Sequence, residues 1–326
     1  MKSFTRAVIR ILAASMLMAV AAHAVAQQAY PNKPIRVIVP FPPGGSVDPL
    51  ARLIGQHLTE NWGQQVIVDN RPGGNSIIGT EAAVKSKPDG YTILLVGGTH
   101  VIVPQLLSTP YDPIKDFAAV ATLISTELIL VVNPSLPVKT LQEFIALAKA
   151  KPGQLNYGSS ANGGSIHLST ELLSISAGIK MQHVPYKGAA PSITDVIGGQ
   201  IQLVFQVPIA VISHIKSGKL RPIAISGENR LASLPEVPTL TEAGLPGVKV
   251  KNWNGLIAPA GTSREIIDKF AGEIARILAV RDVRATLISQ GNEPLISTPD
   301  QFSALMKADL AKFAKIIKAA NIKVDN

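Results

Sequence analysis

The sequence predicts an α/β protein in which parallel strands are covered by helices on both faces of the sheet. Short apolar or β-branched runs alternate with segments whose apolar residues recur every three or four positions, and glycine- and proline-rich turns separate them. Hydrophobic residues make up 46% of the chain and charged residues 16%, which is a globular composition that excludes intrinsic disorder. A length of 326 residues suggests two domains, or one large domain.

Five elements are predicted in the first hundred residues. Leu50, Ile54 and Leu58 recur at helical spacing after a β-branched strand that stops in a Pro-Phe-Pro-Pro-Gly-Gly turn. The strands are predicted at 35–40, 65–69 and 91–96, and the helices at 50–62 and 78–86.

The same alternation continues to the end of the chain. Thr140 is a favourable N-cap, and Glu143 stands three residues later, where it would complete a capping box. The strands are predicted at 128–132, 155–157, 181–185 and 201–205, and the helices at 141–151, 165–177, 264–279, 281–289 and 299–318.

The N-terminus has the features of a secretory signal peptide. Lys2, Arg6 and Arg10 precede an uncharged apolar run, 11–22, which is too short to span a bilayer as a helix. Small residues at the positions that a signal peptidase reads predict cleavage after Ala26, so that residues 1–26 would be removed and the mature chain exported.

Most enzyme and cofactor motifs are absent from the sequence. Without cysteine there is no disulfide framework, thiolate zinc site, iron–sulfur cluster or cysteine nucleophile. The sequence has no dinucleotide fingerprint, no phosphate-binding loop with its lysine, and no nucleophile elbow, and its histidines lack metal-ligand spacing. We therefore predict no cofactor and no metal. The net charge of +9 falls by three with the signal peptide, and 5% aromatic residues do not indicate nucleic-acid binding.

Two glycine-bearing turns, 43–48 and 158–165, follow a strand and open a helix. Such turns present unpaired N–H groups and the positive end of a helix dipole, which suits an anion. Asp48, followed by Pro49, is favoured as an N-cap, although it could also orient the turn or a ligand amine. Trp253 lies in a polar, glycine-bordered stretch, where it would either pack in the core or form a wall of a cleft.

A series of short motifs runs in order along residues 30–326. This series resembles the Bug family, the periplasmic substrate-binding proteins of tripartite tricarboxylate transporters. The motifs that carry the resemblance include 37–48 (VIVPFPPGGSVD), 68–73 (VDNRPG), 87–92 (KPDGYT), 157–160 (YGSS), 184–188 (VPYKG), 234–239 (LPEVPT) and 253–256 (WNGL).

The resemblance implies a two-domain Venus-flytrap fold with the ligand in the cleft between the domains. The chain would cross between domains near 125–127 and near 248–253. Domain I would then comprise 27–126 plus 253–326, and domain II would comprise 127–252. A small organic carboxylate would be captured in the periplasm by a monomer and delivered to the membrane permease subunits of the transporter.

The resemblance also implies which residues hold the ligand. In the family, backbone N–H groups, hydroxyls and ordered waters from both domains make most of the contacts. The implied ligand-binding residues are Pro43, Gly44, Gly45, Ser46, Asp48, Thr99, His100, Ser159, Ser160, Ala161, Ser165, Gly188, Ala189, Gln206 and Trp253.

The sequence departs from the family pattern at the second turn. Ala161 and Gly164 replace a glycine and a hydroxyl residue, and alanine resists a positive φ. Gln206 stands where relatives often carry Asp or Asn and cannot neutralise an ammonium group, which favours a simple or aromatic carboxylate over an amino acid.

Two alternatives to a transport receptor follow from the same residues. The ligand-bound protein could be an adaptor that docks on a membrane sensor kinase. The chain could also be a periplasmic hydrolase that uses Ser159 or Ser160 with His167, with Asp195 as the third member of a triad.

Overall fold

The first of two sheets is built from both ends of the described chain. The computed structural model describes residues 30–44, 47–248 and 250–322, so the predicted signal peptide lies outside the described residues. The strand order is β11-β4-β10-β3-β1-β2. Its strands are β1 (Ile35–Val39), β2 (Val66–Asn70), β3 (Thr92–Gly97), β4 (Phe117–Glu127), β10 (Lys251–Pro259) and β11 (Glu293–Pro294).

The second sheet is built from the middle of the chain, with strand order β7-β6-β8-β5-β9. Its strands are β5 (Ile129–Val132), β6 (Asn156–Ser159), β7 (Gln182–Pro185), β8 (Leu203–Gln206) and β9 (Arg221–Ile225).

Ten α-helices flank the two sheets in the described part of the chain. None of the helices described is long and apolar enough to cross a membrane. They are α1 (Asp48–Trp62), α2 (Ile77–Val84), α3 (Thr99–Ile102), α4 (Leu141–Ala150), α5 (Ser165–Ala177), α6 (Ala189–Ile197), α7 (Pro208–Lys216), α8 (Arg264–Ala279), α9 (Arg281–Ser289) and α10 (Pro299–Ala320).

Each sheet buries apolar side chains on both faces, as the uninterrupted hydrophobic runs predict. Along β3, Leu95 packs with Phe270 of α8 on one face, while Leu94 packs with Phe302 of α10 on the other. In the second sheet the alternation of β5 separates two further clusters in the same way. The fold class predicted from alternating elements is therefore correct.

The sheets are mixed: the predicted parallel pairs are present, and antiparallel pairs occur beside them. The chain makes parallel pairs between β1 and its two neighbours and between β6 and its two neighbours. However, β10 runs antiparallel to both β3 and β4, and β5 runs antiparallel to both β8 and β9. The strand prediction missed β10 because the polar and glycine residues of Asn252–Gly255 disfavour a strand unless neighbours pair with it on both sides.

Buried Ser226 ties together the two segments that pass between the sheets. Its hydroxyl accepts a hydrogen bond from the Leu128 N–H at 2.8 Å and donates one to the Val250 carbonyl at 2.6 Å. The chain leaves the first sheet after Glu127 and returns to it at Lys251. The predicted domain boundaries, which separate 27–126 plus 253–326 from 127–252, lie close to these two segments. The domain division itself stays a prediction.

Helix capping follows the sequence in part. Thr140 accepts from the Glu143 N–H at 3.2 Å, as predicted, but the Glu143 carboxylate accepts from the Lys139 N–H instead of that of Thr140. A complete capping box forms at the start of α10, where Thr298 and Gln301 satisfy each other's backbone N–H groups.

Candidate ligand-binding site

The turn between β1 and α1 is held in shape by Asp48, which is 4% exposed. Its carboxylate accepts from the Gly44 N–H at 3.1 Å, from Arg52 Nε at 3.0 Å and from Asn70 Nδ2 at 3.0 Å. The hydrogen bond from Arg52 is the largest of the effects that hold the pKa of the Asp48 carboxyl below its usual range. The carboxylate therefore organises the turn from within.

The predicted N-cap role of Asp48 is wrong. Val47 occupies the cap position with helical dihedral angles, and no side chain caps the helix. Asp48 is already in the first helical turn, so its carboxylate is directed to Gly44 and to neighbouring side chains. Pro43 and Gly44 are exposed, whereas Gly45 and Ser46 lie outside the described residues.

Replacement of Asp48 by alanine is expected to lower the free energy of unfolding by about 1–3 kcal/mol, because buried hydrogen bonds to a charged group are lost. The matched control is Asp69→Ala, which removes the surface ion pairs with Arg36 and Arg71 and should cost less than about 1 kcal/mol. Urea denaturation of both variants measures the difference. An equal loss in the two variants would contradict the organising role of Asp48.

The turn after β6 is built around Ser159, which has no exposed surface. Its hydroxyl donates to the Ala161 carbonyl at 2.8 Å, and the same oxygen lies 2.6 Å from His183 Nε2. Gly163 supplies the left-handed conformation in this turn, with φ of 71°. Ala161 itself does not adopt a positive φ, so the alanine is not strained in this turn.

The triad Ser159–His167–Asp195 is not assembled. His167 Nδ1 accepts from the Gly163 N–H at 3.0 Å, and Asp195 accepts from the Tyr186 hydroxyl at 2.6 Å. The histidine that contacts Ser159 is His183, whose Nε2 lies 2.6 Å from the serine oxygen. A general base accepts the proton of its nucleophile, and the proton of this serine is directed to the Ala161 carbonyl.

Two buried histidines, His100 and His167, and the half-buried His183 make the stability of the fold depend on pH. Burial lowers the pKa of His100 to about 4, of His183 to about 4 and of His167 to about 3, the last with a contribution from the stacked His183 ring at 3.6 Å. Between pH 6.5 and about 4 the unfolded chain therefore binds protons that the folded chain does not. The free energy of unfolding therefore decreases as the pH is lowered through this window, by up to about 1.4 kcal/mol per pH unit for each histidine.

The slope of stability against pH tests this expectation. Half-buried Glu127 and Glu171 have pKa values raised by burial, so the folded chain binds their protons before the unfolded chain does and they oppose the histidines. His100→Gln keeps a donor for the Pro113 carbonyl. Between pH 7 and 5 it should remove up to one proton from the number that the chain takes up on unfolding, so stability should depend less steeply on pH. Melting temperatures across this range measure the slope, and an unchanged slope in the variant would rule out His100 as a source.

The predicted ligand-binding residues on the side of the second sheet lie close together. The Gly188 N–H donates to the Ser160 carbonyl at 2.9 Å, which joins the turns after β6 and β7. The Ser192 hydroxyl donates to the Ala189 carbonyl at 2.7 Å, and Gln206 Nε2 reaches Ser192 Oγ at 3.4 Å. Thus Ser159 to Ala161, Gly188, Ala189 and buried Gln206 form one cluster.

Two helices start at this cluster without a side-chain cap. Ser165 is the first residue of α5 after Gly164, and Ala189 is the first residue of α6 after Gly188. The N–H groups of a helix's first turn have no partner within the helix, and the helix dipole adds partial positive charge. Both turns can therefore receive an anionic oxygen without a charged side chain.

The first sheet contributes the end of β3 to the same region. A side chain built on Gly98 would lie 3.8 Å from Ser165 Cβ, so the Thr99 turn lies against the start of α5. His100 is directed away from this contact. Its Nε2 donates to the buried Pro113 carbonyl at 2.9 Å, and its ring packs against Phe117. The His100 side chain is therefore part of the core.

Trp253 is a core residue, and its interpretation as a cleft wall is wrong. It is 2% exposed, its ring packs edge-on against Phe302 at 5.3 Å, and its Nε1 donates to Asp309 at 2.7 Å. The polar residues around it in the sequence are satisfied by strand pairing, which leaves the ring free to enter the core.

Sequence reasoning missed the residues that support the two turns. Arg52 stands four residues after Asp48 on one helix, a spacing that could have revealed the pair. Asn70 and His183 come from neighbouring strands, and no sequence spacing indicates their contacts with Asp48 and Ser159. Among the described residues no hydrogen bond joins the 43–48 turn to the turn after β6, so their joint action remains a prediction.

Comparisons with known proteins agree on one family. The model of the tripartite tricarboxylate transporter family receptor matches residues 50–322. Protein BugT of Bordetella pertussis is 36% identical over 303 residues, which cover 92% of this chain and 93% of BugT.

Solved structures of similar proteins include two with bound acids. An R. palustris protein with adipate is 33% identical, with a TM-score of 0.82 over 90% of this chain and 99% of its own. MatC from Rhodopseudomonas palustris with bound malate is 28% identical, with a TM-score of 0.77 over 88% and 100% of the two chains. This chain has the two-domain fold of periplasmic binding proteins, and it belongs to the family of tripartite tricarboxylate transporter receptors, which includes the Bug proteins.

Proposed function

We propose that the chain is a periplasmic receptor that binds a small organic carboxylate and delivers it to the permease subunits of a tripartite tricarboxylate-type transporter. The observation that supports this most is the pair of uncapped helix starts, at Ser165 and Ala189, beside the Ser159–Ala161 turn. Similar proteins have been solved with adipate and with malate. Export would follow from the predicted signal peptide, and the receptor would act as a monomer.

The proposed ligand contacts come from both sheets. The second sheet would contribute the Ser159, Ser160, Ala161 and Ser165 turn with Gly188, Ala189 and Gln206. The first sheet would contribute Thr99 and the turn that Asp48 organises. Backbone N–H groups and hydroxyls would hold the carboxylate, because the charge of Arg52 is already directed to Asp48.

The same residues favour a carboxylate without an amino group. Asp48 is engaged by Arg52, Asp195 accepts from Tyr186, and Gln206 is neutral, so none of these groups offers a free negative charge to an ammonium. Desolvating an ammonium group without such a partner is costly. We therefore expect malate to bind better than aspartate, which differs from it by an amino group in place of a hydroxyl.

The binding role also accounts for the buried serine and histidines without any catalysis. The Ser159 hydroxyl donates to the Ala161 carbonyl and contacts His183 Nε2 at 2.6 Å, so it fixes the shape of the turn. Hydrolysis would instead require a base that accepts the serine proton.

A thermal-shift screen of residues 27–326 tests the proposal. The panel contains mono-, di- and tricarboxylates, including adipate and malate, the matched amino acids aspartate and 2-aminoadipate, aromatic acids, and sulfate as the anion control. A binder at about 100 times its dissociation constant should add about 2.7 kcal/mol to the free energy of unfolding. Native mass spectrometry of the same sample detects a retained ligand. The proposal fails if no carboxylate stabilises the protein and the protein carries no ligand.

A further inference from the structure

Helix α5 belongs to the second sheet by its packing but buries one side chain in the core of the first. Leu173 and Ala177 of α5 lie in the cluster that includes Leu130 and Phe205 of the second sheet. Leu168 of the same helix lies in the cluster of Trp253, Phe302 and Met306, which come from β10 and α10 beside the first sheet. Leu168 therefore joins the two halves of the fold.

The surroundings of Leu168 extend this contact along the helix. Leu168 has no exposed surface, and α5 packs directly against α10. Leu172, one turn later, is half-buried and contacts both apolar clusters. At the start of the helix, Ser165 lies against Gly98 at the end of β3. One face of α5 thus packs against the half of the molecule that contains the first sheet, beginning at Ser165.

This placement matters because α5 begins at the turn proposed to hold the ligand. We propose that Leu168 is a positioning residue: it fixes the orientation of the two sheets relative to each other, and with it the Ser159–Ser165 turn opposite the Thr99 turn. The inference rests on the proposed solute-binding function and adds to it a residue that touches no ligand. A contact between the two halves favours the arrangement in which it is made, and this arrangement places Ser165 beside Gly98 at the end of β3.

The energetics give the direction of the effect. A contact that is made in one arrangement of the halves and lost in another raises the population of the first. Ligand affinity is reduced by the fraction of protein that is not in the binding-competent arrangement. Removing the Leu168 side chain should therefore weaken binding even though no ligand contact changes.

The test compares Leu168→Ala with Leu173→Ala. Both leucines are fully buried on the same helix, but Leu173 packs only within the core of the second sheet. Titration calorimetry with adipate and with malate should show affinity reduced at least about 10-fold in Leu168→Ala. Leu173→Ala should lower the melting temperature and leave the affinity of the folded protein unchanged. Leu172→Ala is the second variant if Leu168→Ala does not fold.

A measurement without ligand separates this inference from the proposed function. Because the chain has no cysteine, spin labels can be placed at Ala146→Cys on α4 and Glu265→Cys on α8, which are exposed positions on the two halves. The distance distribution between the labels should broaden or shift in Leu168→Ala and not in Leu173→Ala. If neither acid binds the wild type, the distances alone decide. Identical distances and affinities in the two leucine variants would overturn the inference.

Discussion

Replacement of Ser165 by aspartate should weaken carboxylate binding at least about 100-fold while leaving the fold intact or slightly more stable. Ser165 is the first residue of α5, and no side chain caps that helix. A carboxylate in the first turn interacts favourably with the helix dipole, by about 0.3–1 kcal/mol. The same charge would occupy the N–H groups proposed for the ligand and would repel its carboxylate. Affinity and stability should therefore change in opposite directions.

The control for Ser165→Asp is Gln142→Asp in the first turn of α4, which adds the same charge to the same half of the molecule. It should leave the affinity for a carboxylate unchanged. Calorimetric titration and thermal unfolding of both variants give the two quantities separately. A Ser165→Asp protein that binds the carboxylate as tightly as the wild type would show that the ligand does not use the start of α5.

Replacement of Trp253 by alanine should lower the free energy of unfolding by about 3–5 kcal/mol, the range for a fully buried large side chain. The ring packs on Phe302, and its N–H group donates to Asp309, which is 6% exposed and also pairs with Lys312 at 2.6 Å. Trp253→Phe keeps most of the apolar volume and loses the hydrogen bond, so it should cost about 1–3 kcal/mol.

Trp253→Phe also distinguishes a core residue from a cleft residue. In the core it should lower the unfolding midpoint in urea without changing the affinity of the folded protein. Trp62→Phe is the matched control, because Trp62 donates in the same way to buried Glu273. A loss of affinity in Trp253→Phe but not in Trp62→Phe would return Trp253 to the ligand site.

The local features of this fold could be predicted where one segment determines its own structure. The burial of β3 on both faces follows from a continuous apolar run, and the start of α4 follows from the Thr140 hydroxyl. Features that depend on partners distant in sequence were not predictable in the same way. Strand β10 is polar and glycine-bearing, and it becomes a strand because β3 and β4 lie on either side of it.

The site shows the same division between local and distant determinants. The two glycine-bearing turns and the helices that follow them could be identified from their order along the chain. The roles of individual side chains could not. Asp48 is directed to Asn70 on a neighbouring strand, His100 enters the core, and His183 supports Ser159 from the next strand. Sequence gives the chemical type of each group, whereas its direction depends on contacts between elements.

A crystal structure of residues 27–326 with the carboxylate that stabilises the protein most in the thermal-shift screen would test the proposed ligand site. We expect a carboxylate oxygen within about 3 Å of a backbone N–H at the start of α5 or α6, with a second contact from the first sheet's side at Thr99 or at the turn that Asp48 organises. A carboxylate bound away from both helix starts, or held by only one half of the molecule, would contradict it.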